Sequence, residues 1–189
     1  MQFATNYIYL YHTDKFIIIP EYPESVTDNM SSTFYTIDAL SRSAPMFTYA
    51  HSGPRTITFN LDLHRDMVND LNIKAGNVNL KSNVIDQTDD YVDVLIKELQ
   101  SIALPRYNSQ NSMVVPPRVA VRIGEEIFIT GVVNSTISVA YSKPILNNGK
   151  YAKATIQFTV YEYDPYDAVS VAQLGSFRGI TSANRITME

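Results

Sequence analysis

Four segments within residues 118–163 constrain the fold more than any other part of the chain. The last segment alternates apolar and polar residues from Lys153 to Tyr161. Successive side chains of a strand point to opposite faces, so this pattern predicts a strand with one packed face and one solvated face. The segments are residues 118–123, 126–133, 136–141 and 153–163. Their hairpin-length connections predict antiparallel neighbours.

The first third of the chain also has a strand-forming composition. Residues 7–11 and 16–19 are rich in Tyr and Ile and flank a short polar turn, which predicts a hairpin. Residues 31–37 have the composition of a third strand, and residues 55–63 alternate strictly, which predicts another strand. Residues 38–54 mix Ser, Ala, Pro and Gly, and we interpret them as a long loop.

One segment has clear helical periodicity. Apolar residues in 91–104 recur at spacings of three and four, which predicts an amphipathic helix that ends at Pro105. Thr88, Asp89 or Asp90 can cap its start, where acidic side chains also suit the helix dipole. The polar residues 64–90 predict an excursion from the sheet, and residues 105–117 a connector.

These segments together predict an α+β fold that is mostly β. We expect an antiparallel sandwich or open barrel with one packed amphipathic helix that covers either one sheet face or one open end. The predicted organisation is a single domain at residues 1–168, with an excursion at 64–90, followed by a C-terminal extension at 169–189.

Composition excludes several kinds of site. The chain has 189 residues and a formal net charge of −4, and the lack of a basic run argues against a surface that grips nucleic acid. It has no Cys, so disulfides, thiolate metal sites and a cysteine nucleophile are impossible. We find neither a signal peptide nor an apolar run long enough for a membrane span. The 13 Tyr residues favour an interface with other proteins.

No catalytic motif is evident. His12, His51 and His64 are scattered without zinc-ligand spacing and are interpreted as exposed turn residues. The Gly-x-Ser-x-Gly and P-loop patterns are absent. The sequence therefore predicts a protein that is not an enzyme and has no catalytic residues, cofactor or metal. An active site assembled from distant residues is the open alternative.

Residues 142–151 join two predicted strands, and Asn148-Gly149 predicts a turn with positive φ. Two interpretations remain open for this segment. It is a plain hairpin loop, or it carries Ile145, Leu146 and Tyr151 to a neighbouring subunit, because exposed apolar loops otherwise reduce solubility.

Several motifs resemble a known family. They are Pro117-Arg-Val-Ala-Val-Arg-Ile-Gly, Phe128-Ile-Thr-Gly-Val-Val, the run from Ser138 to Ala152, and Phe158-Thr-Val-Tyr-Glu-Tyr-Asp-Pro-Tyr-Asp. Together with residues 16–25 and 53–61, they resemble tube and hub components of the baseplates of contractile-tailed bacteriophages. Some members of this tail-tube-like family carry a peptidoglycan-binding LysM module. The chain after residue 168 is too short for one.

The resemblance implies a β-barrel-like tube domain whose copies form a ring, usually six-fold, that joins the tail tube to neighbouring baseplate proteins. It implies a virion location after synthesis in the host cytoplasm, and no membrane partner. The solvated face of the last strand, with Thr155, Gln157 and Thr159, is then a candidate lining for a polar lumen through which DNA passes without specific binding. The alternative function is a receptor- or cell-wall-binding module of the same particle, with recognition by the Tyr-rich N-terminal half and residues 64–90.

Overall fold

The computed structural model describes residues 6–19, 22–38, 40, 43–74, 85, 90–107, 114–115, 117–124, 126–133, 136–163 and 168; the side chains of 71–74, 106–107 and 114–115 are outside the description. The described residues form twelve strands and two helices. In chain order these are β1 (Asn6–Leu10), β2 (Lys15–Ile18), β3 (Ser25–Asn29), β4 (Ser32–Ile37), β5 (Met46–Ser52), β6 (Thr56–His64), α1 (Arg65–Lys74), α2 (Tyr91–Ile102), β7 (Arg106–Tyr107), β8 (Val114–Val115), β9 (Arg118–Ile123), β10 (Ile127–Val133), β11 (Ser138–Ile145) and β12 (Tyr151–Glu162).

An eight-stranded antiparallel sheet forms the body of the molecule. Its strand order is β2-β1-β9-β10-β12-β6-β3, and β11 is a further partner of β12. The long strand β12 organises the sheet because one of its edges pairs with β6, while β10 and β11 share the other edge. The described strands form an open sheet and not a closed barrel. The antiparallel, mostly β prediction is confirmed.

The core lies between one face of this sheet and α2. The inward residues of β12 and β6 alternate as the sequence predicted, and they share one buried cluster with the apolar stripe of α2. The predicted helix and the predicted strands over residues 118–163 are thus confirmed, and so is their packing. The α2 side chains in the cluster are Tyr91, Val92, Leu95, Ile96, Leu99 and Ile102.

Three expectations require correction. Residues 38–54 contain the strand β5, because Met46–Ser52 pairs with β4. The excursion at 64–90 begins with the helix α1 over Arg65–Lys74, so the described residues contain two helices where one was predicted. The connector at 105–117 contains the short paired strands β7 and β8. In each case pairing or packing with a neighbour overrides a weak local pattern.

The predicted domain boundary at residue 168 stays a prediction, because residues 169–189 lie outside the described residues. Within the described part of the chain, neither helix has the length and apolarity that a bilayer crossing requires.

Candidate assembly surfaces

The strands β4 and β5 form a two-stranded ribbon of their own, which we call the arm (residues 32–52). The arm continues the outermost pair of the main sheet: β3 pairs with β6 up to Asn29 opposite Thr56, and β4 then pairs with β5 from Ser32 opposite Ser52. Between the two ribbons, the backbone N–H of Gly53 donates a 2.8 Å hydrogen bond to the carbonyl of Ser31. The arm is therefore an extension of the sheet edge.

A buried ion pair fixes the base of the arm. The Arg55 side chain is 1% exposed and donates from Nε and Nη2 to the two carboxylate oxygens of Asp28, at 3.0 and 2.9 Å. Its Nη1 lies 3.7 Å from Glu162 Oε2 at the end of β12. A bidentate guanidinium–carboxylate contact has a defined direction, so Arg55 holds β3, β6 and β12 together where the arm begins.

Both faces of the arm are apolar and exposed. Residues directly opposite in an antiparallel pair lie on the same face. Phe34 is opposite Tyr49 and Thr36 is opposite Phe47, whereas Tyr35 and Ile37 with Met46 lie on the reverse face. The arm and its flanks carry eight of the sixteen large exposed hydrophobic side chains found among the described residues. These eight are Met30, Phe34, Tyr35, Ile37, Leu40, Met46, Phe47 and Tyr49.

The second surface is the end of the β11–β12 hairpin, residues 141–151, which we call the turn end. Ile145 and Tyr151 are cross-strand partners and both are exposed, while Leu146 is half-buried. Tyr151 stacks on Tyr141 with ring centroids 5.9 Å apart. Gly149 has φ of 78°, as predicted for the turn. The residues predicted as an inter-subunit contact thus lie together at one end of the sheet.

Charged residues tie the turn end to the helices. Arg65, at the start of α1, has a side chain that is 3% exposed, and its Nη1 lies 2.5 Å from Asp90 and 2.9 Å from Asp93. Lys150 Nζ bridges the same two carboxylates at 2.7 and 2.6 Å. Arg65 Nε also donates to the backbone carbonyl of Tyr151 at 3.0 Å. The two cations and two anions of this cluster balance. Three of them, Arg65, Asp93 and Lys150, line a shallow pocket together with Tyr141 and Tyr151.

Asp90 occupies the predicted N-cap position of α2, but its carboxylate makes no cap hydrogen bond. The side chain of Asn69 on α1 takes that role, because its Oδ1 accepts a hydrogen bond from the N–H of Tyr91 at 3.0 Å. The carboxylate of Asp90 binds Arg65 and Lys150 instead. Side-chain capping by Asp90 is therefore not found, because its carboxylate is turned to the ion cluster. The other two cap candidates, Thr88 and Asp89, lie outside the described residues.

The carboxyl groups of this cluster titrate abnormally. Burial alone raises the pKa of Asp90, but hydrogen bonds from Lys150 and Arg65 outweigh burial and lower the pKa overall. The pKa of Asp93 is lowered by the same two donors against the effects of burial and of the neighbouring Asp90. Both groups are therefore held in the ionised form.

The solvated face of β12 is polar over most of its length. Thr155 Oγ1 donates to Asp62 at 3.0 Å, the hydroxyls of Thr159 and Thr58 lie 2.9 Å apart, and Gln157 is exposed opposite Asn60. Lys153 Nζ also lies 2.6 Å from Asp62. The three residues predicted to face a lumen thus share the face opposite the core.

The histidines do not converge. His12 lies in the turn after β1 as expected, but it is half-buried. His51 in β5 and His64 at the end of β6 are exposed as expected, but they lie in strands and not in turns. In the part of the chain that the structure describes, no group of three or more His, Asp or Glu is placed to hold a metal ion.

Sequence reasoning missed the arm. The strand β5 had one local signal: the strand-forming residues Phe47, Thr48 and Tyr49 follow one another shortly after Pro45. The Ser, Ala, Pro and Gly residues around it led to the loop interpretation.

Comparison with known proteins finds structural similarity at low sequence identity. No family model matches the sequence, and no curated protein matches it. Among solved structures, a chain from the virion of a native gene transfer agent particle superposes with a TM-score of 0.36 at 9% identity. The alignment covers 87% of this chain and 99% of that chain. A similarity at this level does not assign the chain to a family, so the functional argument depends on the surfaces described above.

Proposed function

We propose that the chain is a structural component of a phage-like virion. More specifically, it acts in the baseplate of a contractile tail, where its copies form a ring, six-fold in symmetry, that starts or extends the tail tube. The ring joins the tube to neighbouring baseplate proteins. The sequence motifs at residues 117–167 support this proposal, and so do the two exposed apolar surfaces.

The arm is the observation that carries the proposal. A two-stranded ribbon is at best marginally stable alone in water. In this ribbon Phe47 is nevertheless 70% exposed and Leu40 is 100% exposed. Soluble monomers rarely present contiguous apolar surface of this extent. A partner that covers the arm would both stabilise the ribbon and bury its apolar surface. The ring contact also involves Ile145, Leu146 and Tyr151 at the turn end.

In this ring, the polar face of β12 lines the lumen with Thr155, Gln157 and Thr159. The hydroxyl and amide groups of these three residues carry no positive charge to neutralise phosphates, and the chain has a net charge of −4. DNA therefore passes without specific binding. The role needs no catalytic residue, cofactor, metal or membrane, and we propose that the protein is not an enzyme.

The test compares the assembly of three forms of the purified protein. Light scattering and negative-stain images should show rings for the wild type. A Tyr35→Glu/Phe47→Glu variant, which places charge on both faces of the arm, should stay monomeric with an unchanged circular dichroism spectrum. Met67→Glu alters an exposed apolar residue of α1 and serves as the matched control, which should assemble normally. A wild type that is monomeric alone and with tail-tube or baseplate proteins overturns the proposal.

A receptor- or cell-wall-binding module is the second candidate, because exposed Tyr and Phe residues on a ribbon also suit recognition of another surface. Pull-down on intact host cells and on purified cell wall separates the candidates. The binding module is favoured if cells or cell wall retain the protein, if this retention depends on Phe47, and if baseplate proteins do not retain it.

A further inference from the structure

The two exposed apolar surfaces lie at opposite ends of the same pair of strands. The arm leaves the sheet where Thr56 of β6 pairs with Tyr161 of β12. The turn end begins beyond the other end of the pair, where His64 lies opposite Lys153. A nine-residue strand is roughly 30 Å long, so one chain cannot bring its own arm onto its own turn end through this rigid sheet.

We infer that the arm of one copy docks on the turn end of the next copy, head to tail. This inference rests on the proposed self-assembly and specifies which two surfaces meet. Identical units that meet through two different surfaces form a heterologous contact, which closes into a ring when the rotation between copies allows it. Every copy therefore carries both surfaces of the contact, the arm and the turn end.

The arm offers enough area for a stable contact. A buried aromatic side chain contributes roughly 150–250 Å², and the eight large side chains of the arm and its flanks are between 38% and 100% exposed. Their combined exposed area over both faces of the arm is on the order of 800 Å². A contact that wraps both faces therefore reaches what each partner contributes to a standard stable interface.

The turn end exposes aromatic and aliphatic side chains of the same kind as the arm. Tyr141, Ile145 and Tyr151 are each about half exposed. The shallow pocket beside them is lined by both tyrosines and by Arg65, Asp93 and Lys150, whose charges are balanced once the neighbouring Asp90 is included. Such a pocket accepts an apolar side chain without leaving an unpaired charge. The exposed Lys143 beside it suits Asp38, which follows β4 near the tip of the arm.

The backbone of β11 strengthens the match. Within the described residues, β11 pairs with β12 along one edge, and its other edge carries no strand partner. The arm has open edges of the same kind, since β4 and β5 pair only with each other among those residues. Pairing of an arm strand with β11 of the next copy supplies backbone hydrogen bonds and buries an edge prone to aggregation.

The natural chain has no Cys, so single cysteines report contacts between copies without background. Phe47→Cys and Ile145→Cys variants carry different affinity tags and are mixed, allowed to assemble and treated with a short bismaleimide. The expected product is a covalent heterodimer between the two variants. Leu104→Cys, at a residue that is 62% exposed near the end of α2, replaces Ile145→Cys in the control mixture and should give at least tenfold less.

The other outcomes overturn the inference in distinguishable ways. If mixed copies assemble but Phe47→Cys links mainly to itself, the arms meet through a two-fold contact; the head-to-tail arrangement is then wrong while self-assembly stands. If copies assemble and the Ile145→Cys and Leu104→Cys mixtures link equally, the arm has no preferred seat and the inference is also wrong. If the variants stay unlinked while the untagged wild type assembles, the inference fails and the proposed function stands. If the wild type is also monomeric, alone and with tail-tube or baseplate proteins, both fail.

Discussion

A Cβ atom placed on Gly131 would lie 1.8 Å from the carbonyl oxygen of Tyr161. These residues sit where the end of β12 meets β10, with Gly131 paired to Glu162. The close approach lets β12 change partners along one edge, from β11 to β10. This carbonyl group belongs to the backbone and cannot rotate away, so only glycine fits at position 131.

We therefore expect Gly131→Ala to destabilise the fold by about 3 kcal/mol or more, near the upper end for a single substitution. The measurement is chemical denaturation followed by circular dichroism. Gly53→Ala is the control. Its added Cβ meets the hydroxyl of Ser31 at 2.5 Å, but that hydroxyl can rotate, so the cost should stay below about 1 kcal/mol. Similar costs for the two variants would contradict this account of the sheet junction.

The buried guanidinium of Arg65 should be essential to the packing of the turn end. Arg65→Ala leaves Asp90 and Asp93 with Lys150 alone and removes the hydrogen bond to the carbonyl of Tyr151. Breaking a buried ion pair by removing one partner typically costs about 3–5 kcal/mol. We expect a loss of this order in the free energy of unfolding, measured by thermal denaturation. Lys153→Ala, which breaks the half-buried pair with Asp62 and leaves no buried guanidinium unpaired, should change the unfolding temperature little. Equal losses would show that Arg65 has no special role.

The same cluster gives stability a defined pH dependence. The folded-state pKa values of Asp90 and Asp93 lie below the ordinary value of 3.8, so the folded state binds fewer protons than the unfolded state around that pH. Their contribution is therefore fully present above about pH 5 and is lost as pH falls through the folded pKa. Unfolding temperatures measured from pH 7 to pH 2.5 should fall more steeply for the wild type than for Asp90→Asn/Asp93→Asn. Parallel curves would contradict the assignment.

The cap that Asn69 provides links the two helices. Asn69→Ala removes the acceptor for the N–H of Tyr91, and loss of a helix cap costs about 1 kcal/mol. With about 2–4 °C per kcal/mol for a chain of this size, a fall of roughly 3 °C in the unfolding temperature is expected. Asp70→Ala, at the exposed neighbouring position of α1, should have no comparable effect. An unchanged Asn69→Ala protein would mean that water replaces the cap.

Strong periodicity made most of the sheet predictable. The alternation in β6 and β12 and the stripe of α2 gave both the element types and the buried faces, because long periodic segments depend little on their neighbours. The turn at Asn148-Gly149 was also readable, since positive φ favours glycine. The grouping of Ile145, Leu146 and Tyr151 followed from their place around this turn.

Features that depend on contacts with other segments of the chain were missed. The helix α1 has few apolar residues, and β5 is recognisable mainly through its pairing with β4. Asp90 looked like a cap because its pattern is local, whereas its actual partners Arg65 and Lys150 lie 25 and 60 residues away in sequence. Long-range charge pairs of this kind leave no periodic trace in a single sequence.

The central claim is that copies of this chain complete one another as a ring. Native mass spectrometry of the wild-type protein, combined with class averages of the same sample, tests it most directly. The account predicts a closed assembly of six copies around an open lumen, which the Tyr35→Glu/Phe47→Glu variant does not form. A wild-type protein that remains a single copy across the accessible concentration range, or forms only a two-fold dimer, would contradict it.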